Sequence, residues 1–269
     1  MLNLPIAHLH GGESTTGVYD DYWRHAISKI SNLHFVSNSN YKNNLIKMGE
    51  DKKRIFVVGA FGLETIKKYK DKFYNKEFFE KIYKFKFNSK NFLIIFHSIT
   101  LNQSKNLIIF KNLFNAAKSF KDTNLFISYP GYDLGSQKII EFFKILQNKN
   151  LRNVFFFNNL GNQKFLSLAN ICDLTIGNSS SGIIEIPYLN KPVINIGNRQ
   201  KGRLKANIVF DSKIDMDSIK ISIRKCLRLI KNNKLPLNNN VYGGYNAASK
   251  TLKIIENLNL SNINKKTFF

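Results

Sequence analysis

Short apolar runs recur along the chain, separated by stretches that carry either helical periodicity or turn residues. The clearest unit is Leu174–Arg203. Leu174–Ile176 is an apolar run suited to a buried strand; it breaks at Gly177-Asn178, passes Ser179, Ser180, Ser181 and Gly182, and resumes as an apolar helix carrying Glu185. A second run, Pro192–Ile196, follows and ends in Gly197. Strand, polar turn, helix and strand make the βαβ unit of a parallel sheet.

The same alternation runs through the rest of the chain. Strands are expected at 4–9, 33–37, 54–58, 91–96, 124–128, 153–157 and 206–210. Helices are expected from Asp20 through Ser31, over 40–48 closed by Gly49, and over 105–119, 137–147, 162–170, 215–231 and 246–258. The lysine-rich stretch 67–90 reads as an amphipathic helical connector with Phe73, Phe78, Phe79 and Tyr83 packed inward. It divides a first α/β unit, 1–66, from a second, 91–240; the tail, 259–269, is expected to be disordered.

Composition narrows the function. With 269 residues the chain can bury a substantial core, and no apolar run approaches the ~20 residues that span a bilayer. The first residues lack the basic and long apolar regions of a signal peptide. Cys172 and Cys226 have neither metal spacing nor the makings of a disulfide framework, so a cytoplasmic setting is expected. The net charge of +23 admits anionic partners. It is spread as lysine, however, and no nucleic-acid-binding signature accompanies it, so neither nucleic acid nor a membrane is expected as partner.

The candidate chemistry lies at turns. Ser179, Ser180, Ser181 and Gly182 stand where a helix presents unpaired N–H groups, which together with the helix dipole favour phosphate. Serines that merely cap a helix would look similar. Glu185, about one turn further in, is suited to the two hydroxyls of a ribose, and a second glycine turn brings Arg199, Gln200, Lys201 and Arg203. His97 ends a strand, where open α/β sheets place ligands. Near the start, His10-Gly11-Gly12-Glu13 turns the chain, and Asp20 and Arg24 share a helix face at i, i+4 with His25 beside them. His8 and His10 could form a metal pair on one strand face, but no third ligand has suitable spacing, so no metal is expected.

These residues in this order (AHLHGGE, DDYWRHAISK, LHFVS, the His97 turn, GNSSSGIIE and INIGNRQKGR) resemble the UDP-N-acetylglucosamine 2-epimerases, in particular the hydrolysing branch that feeds sialic-acid synthesis. The resemblance covers nearly the whole chain. It implies two Rossmann-like domains of the glycosyltransferase-B type with the site between them, the last helix (within 241–258) crossing back to the first domain. It also implies a first domain lacking about three strand–helix units, which leaves a strand edge exposed at 4–9.

By the same resemblance, Ser180, Ser181 and Gly182 hold a diphosphate and Glu185 a ribose. His97, Arg199 and Arg203 line the phosphate pocket, and Asp20 and Arg24 act near the sugar. The base that takes the C2 proton is open between Glu13, Asp20 and His10. The implied reaction is loss of UDP from UDP-N-acetylglucosamine followed by water addition, giving N-acetylmannosamine without a cofactor, with a homodimer expected by analogy. The alternatives are a sister epimerase acting on a di-acetamido sugar nucleotide, a non-catalytic UDP-binding fragment, and a glycosyltransferase of the same architecture.

Overall fold

The computed structural model describes residues 4–259, 263 and 266. Two parallel sheets organise it. The first contains β1 (Ala7–Leu9), β2 (Leu33–Val36) and β3 (Ile55–Val57) in that spatial order. Helix α1 (Asp20–Ile30) joins β1 to β2, and α2 (Ser39–Lys47) joins β2 to β3. The strand expected over 4–9 forms only at its end, and it pairs on one side, with β2. Asn38 accepts from Tyr41 N and so starts α2.

Helix α3 (Gly62–Tyr69) runs on through the expected start of the connector, and a 3₁₀ turn at Lys70–Lys72 leads to α4 (Lys76–Tyr83). Phe79 is fully buried, and Phe78 and Tyr83 pack beside it, as the amphipathic pattern required.

The second sheet contains β4 (Lys90–Ile95), β5 (Thr123–Ser128), β6 (Val154–Phe157), β7 (Leu174–Gly177), β8 (Val193–Ile196) and β9 (Val209–Ser212). Its helices are α5 (Asn106–Lys118), α6 (Gln137–Asn148), α7 (Gly161–Ile171), α8 (Ser181–Ile184) and α9 (Met216–Lys231). The spatial order β6-β5-β4-β7-β8-β9 is that of a doubly wound nucleotide-binding sheet, and its strand order reverses between β4 and β7.

Both faces of the second sheet are covered, so its strands are apolar throughout. Along β4 and just beyond it, Phe92, Ile94 and Phe96 join the core under α5 and α9, while Leu93 and Ile95 join the core under α7. Finally α10 (Ala247–Glu256) places Ala247 and Ile254 against Leu33, Phe35 and Val58 of the first unit. Of the tail expected to be disordered, residues 260–262, 264–265 and 267–269 lie outside the described residues.

Two expectations are corrected. The last strand starts at Val209 rather than 206, because Val209 N bonds Ala206 O and closes a turn first. The helix after the serine turn is a single α turn, followed by a 3₁₀ turn at Ile186–Leu189. Pro187 lacks an N–H and disfavours α geometry at Ile186, which stops the α ladder there.

Phe126 is fully buried at the centre of a ring cluster with Phe85, Phe87 and Phe155, whereas Tyr132 is 94% exposed. Phe126→Ala is expected to lower unfolding stability by about 3–5 kcal/mol in urea titrations. Tyr132→Ala should stay within roughly 0.5 kcal/mol of the parent.

Candidate active site

The carboxyl ends of β4 and β7 lie side by side at the point where the strand order reverses. A Cβ at Gly177 would collide with Ile95 O, so only glycine lets the two strands approach so closely. The next residue, Asn178, is fully buried and ties the two ends together. Its Oδ1 accepts from His97 N at 2.7 Å, and its Nδ2 donates to His97 O at 2.9 Å. Its own carbonyl accepts from Arg199 Nη1 at 3.1 Å and Gln200 Nε2 at 2.9 Å. Arg199 Nε also donates to Ser98 O at 3.0 Å, so the second glycine turn is sewn to both strands.

His97 is half-buried at this junction. Burial first, and then the Arg199 charge, lower its pKa to about 4 against an opposing pull from Asp133, so the ring is neutral near pH 7. Gly131 N donates to its Nδ1 at 3.3 Å, which assigns the ring proton to Nε2. His97 therefore offers an uncharged N–H donor.

In the serine turn, Ser179 Oγ accepts from Ser181 N at 3.3 Å and lies 2.9 Å from Ser181 Oγ. Ser180 occupies the N-cap position of α8, and Gly182 is buried within its turn. With only four residues, α8 brings little macrodipole, and hydroxyls and backbone N–H groups are the stronger attraction for an anion there.

The first unit contributes the opposite wall. β1 ends at Leu9, and His10 takes a left-handed conformation, φ 61°. His8 and His10 consequently have different partners: His8 Nδ1 lies 3.1 Å from Ser28 Oγ, whereas His10 Nδ1 lies 2.8 Å from Glu13 Oε1. Glu13 is fully buried and its other oxygen pairs with Arg203, 2.8 Å from Nη2 and 2.9 Å from Nε. Burial alone would raise the Glu13 pKa; the His10 hydrogen bond and the Arg203 charge outweigh it and hold the carboxylate below its usual range. Arg203 Nη1 in turn donates to Gln200 Oε1 at 2.7 Å.

Arg24 departs from expectation. Its Nη1 bonds Asp21 Oδ1 at 3.1 Å, Thr15 Oγ1 at 3.1 Å and Glu13 O at 3.3 Å, and Asp20 is not its hydrogen-bonded partner. The i, i+3 carboxylate wins because Asp21 Oδ1 also receives Thr15 N at 2.6 Å, which fixes it beside the loop. Asp20 is exposed, yet its charge acts on both Arg24 and Arg199, across the two units.

Glu185 sits between the units, with Oε1 against Gly62, where any side chain would strike it. Its Oε2 is buried without a hydrogen-bond partner. Burial pushes its pKa up to about 7, with Arg203 the largest opposing influence.

His97, Arg199, Arg203, Glu13, His10 and Arg24 thus belong to one connected region, with the serine turn and Glu185 adjoining it. Asn178 and Thr15 are not among the site residues expected from the sequence, and Gln200 is named there in its turn without a role, although all three hold these groups in place. For Asn178 and Gln200 the available signal was their position inside turns already singled out. Among the described residues no group of three His, Cys, Asp or Glu side chains could hold a metal ion.

Comparison with known proteins identifies the family and the fold. Residues 1–256 match the family model described as UDP-N-acetylglucosamine 2-epimerase. A GDP/UDP-N,N'-diacetylbacillosamine 2-epimerase (hydrolyzing) of Campylobacter jejuni is 38% identical over 218 residues, covering 81% of this chain and 56% of the relative. The Legionella pneumophila UDP-N,N'-diacetylbacillosamine 2-epimerase (hydrolyzing) is 34% identical over 84% of this chain and 58% of its own length. The crystal structure of UDP-GlcNAc 2-epimerase from Neisseria meningitidis bound to UDP-GlcNAc superposes with a TM-score of 0.78 at 19% identity, over 94% of this chain and 70% of that one. The chain therefore spans little more than half the length of the curated relatives it matches. Two Rossmann-like units of the glycosyltransferase-B type, a nucleotide-binding strand order and the family match together assign it: the chain belongs to the UDP-N-acetylglucosamine 2-epimerase family.

Proposed function

We propose that this chain forms the nucleotide half and part of the sugar half of a hydrolysing 2-epimerase acting on a UDP-linked 2-acetamido sugar. The observation that carries this reading is the pairing of two differently prepared imidazoles, His10 beside a buried carboxylate and His97 beside a phosphate-type turn. Ser180, Ser181 and Gly182 hold the diphosphate. Arg199 supplies charge there, and Arg203 reaches it through Gln200. The orphaned carboxylate of Glu185 accepts from the ribose hydroxyls.

Of the three candidate bases, Glu13 is the least suited, since its lowered pKa and its ion pair weaken it as a proton acceptor. It serves instead to hold the His10 proton on Nδ1, leaving Nε2 as the base; Phe61 N donates to that nitrogen only at a long 3.4 Å. His10 Nε2 takes the C2 proton, the C2–H electrons form the C1=C2 bond, and the C1–O bond breaks with its pair going to the β-phosphate. His97 Nε2–H and the turn stabilise that departing charge. Water then adds at C1 and a proton returns to C2 from the other face, giving the free manno-configured sugar. Asp20, exposed near Arg24 and Arg199, is suited to take the proton of the adding water and pass it to C2 in this second step.

The sugar has two readings. The sequence resemblance points to UDP-N-acetylglucosamine and hence N-acetylmannosamine, through motifs that a di-acetamido epimerase would share; the 38% and 34% identities to diacetylbacillosamine epimerases favour a 2,4-diacetamido sugar. A cytoplasmic reaction fits the free, buried Cys172 and Cys226 and the lack, among the described residues, of any helix able to cross a membrane. A homodimer is carried over from the family alone.

The direct test measures UDP release from both sugar nucleotides, with NMR of the sugar product. The expected outcome is a free manno-configured sugar from one of them; UDP binding without release from either would leave only the nucleotide-binding fragment. His10→Gln should lower kcat by roughly a hundredfold or more while UDP affinity stays the same. An unchanged rate would remove His10 as the base.

Glu185 predicts a pH dependence of binding. Ribose hydroxyls donate to the ionised carboxylate, and the ligand-free pKa is about 7, so UDP affinity should rise as pH increases through 7. Calorimetric profiles of the parent and Glu185→Gln share the titration of UDP itself, so their difference isolates this group. Parallel profiles would show that Glu185 does not meet the ribose.

A further inference from the structure

On the α5–α9 side of the second sheet, away from α8, lies a cavity of about 860 Å³. It is bounded by the 3₁₀ turn Thr100–Lys105, the start of α5, the loop after β8 and the β9–α9 corner, with Thr16 and Gly17 of the first unit closing one side. Arg199 is its only residue in common with the site above; His10, Glu13, His97, the serine turn, Glu185 and Arg203 are not part of its wall. The guanidinium of Arg199 is held by Ser98 O and Asn178 O at the border of the cavity.

The charge in the cavity is unbalanced. Lys105, Lys201 and Lys213 line it and form no ion pair among the described residues. The acids there are already engaged: Asp211 pairs with Lys205 at 2.7 Å and accepts from Asn195 Nδ2 at 2.7 Å, and Asp215 caps α9 by accepting from Ser218 N at 2.8 Å. Apolar wall is present too. Leu101 and Ile214 are 41% and 37% exposed, large apolar side chains left facing open space. Asn102, Asn198 and Ser212 add uncharged hydrogen-bonding groups.

Three lysines outside ion pairs, apolar wall and amide or hydroxyl groups suit a ligand with one strong anionic group, a ring face and several hydroxyls. The volume falls within the ~300–1,000 Å³ usual for small-molecule sites. We propose that this cavity is a second ligand site, taking a monosaccharide that bears a phosphate or a carboxylate, separate from the nucleotide site. A phosphomonoester and a sugar acid present the same chemistry to the lysines, and the experiment separates them. The proposal does not depend on the epimerase reading.

N-acetylglucosamine 6-phosphate and glucuronate serve as the two probes, titrated by calorimetry into the full chain at low and moderate salt. At least one probe is expected to bind in the millimolar range or tighter and to weaken with salt. The double variant Lys105→Gln/Lys213→Gln should bind it roughly tenfold or more weakly, since two point charges at contact distance are lost, while its UDP affinity stays within about twofold of the parent. Whichever probe shows the larger loss identifies the anionic group. Failure of both probes to bind the parent overturns the proposal. So does binding that ignores the lysine substitutions, or that is lost in Ser181→Ala/Glu185→Gln instead. Lysine-dependent probe binding by a chain that fails to bind UDP would keep this site and remove the nucleotide reading.

Discussion

The arrangement depends on one buried ion pair, Glu13 with Arg203, formed between residues 190 positions apart. A carboxylate with no exposed surface is tolerable only while its charge is answered, and removing either partner of such a pair leaves an uncompensated charge in a poor solvent. The pair is also the middle of a longer chain of contacts: His10 to Glu13, Arg203 to Gln200, Gln200 to Asn178, and Asn178 to the backbone of His97. Two imidazoles contributed by different sheets are thereby held in one polar network. Fully satisfied networks of this kind rigidify what they connect.

Burial acts in opposite senses on the ionisable groups along that network. It makes His97 neutral and brings Glu185 close to neutrality, while Glu13 stays ionised because a histidine and an arginine both meet it. The chain-wide positive charge contributes little to these differences. They arise from which side chains are given partners inside the protein and which are left for a ligand to complete; Glu185 Oε2 is of the second kind.

Much of this was legible from local pattern. The continuous apolar run Phe92–Phe96 sufficed for a strand, and GNSSSG between two apolar runs located the turn that the structure places at the reversal of strand order. Boundaries were less legible where a competing local bond intervened, as at Ala206–Val209 and before Pro187. The Arg24 partner was misread because Asp20 and Asp21 both lie within helical reach, and the choice is made by Thr15 in the preceding loop. The Asn178 clamp and the Glu13–Arg203 pair could not be read at all, since each needs the adjacency of strands or loops far apart in sequence.

The loops that carry these groups meet without intervening side chains. A Cβ on Gly17 would lie 2.7 Å from Arg199 Cα, one on Gly202 would lie 2.9 Å from Ser14 Cβ, and Thr16 N bonds Lys201 O at 3.2 Å. Main chain rests on main chain there, and the border leaves no room for a side chain at Gly17 or Gly202. The Glu185–Gly62 side is closed differently: Leu63 and Ile66 of the first unit share a buried apolar cluster with Leu166, Ile183 and Ile184 of the second. Each unit therefore buries part of its core only against the other, and the two are expected to unfold together.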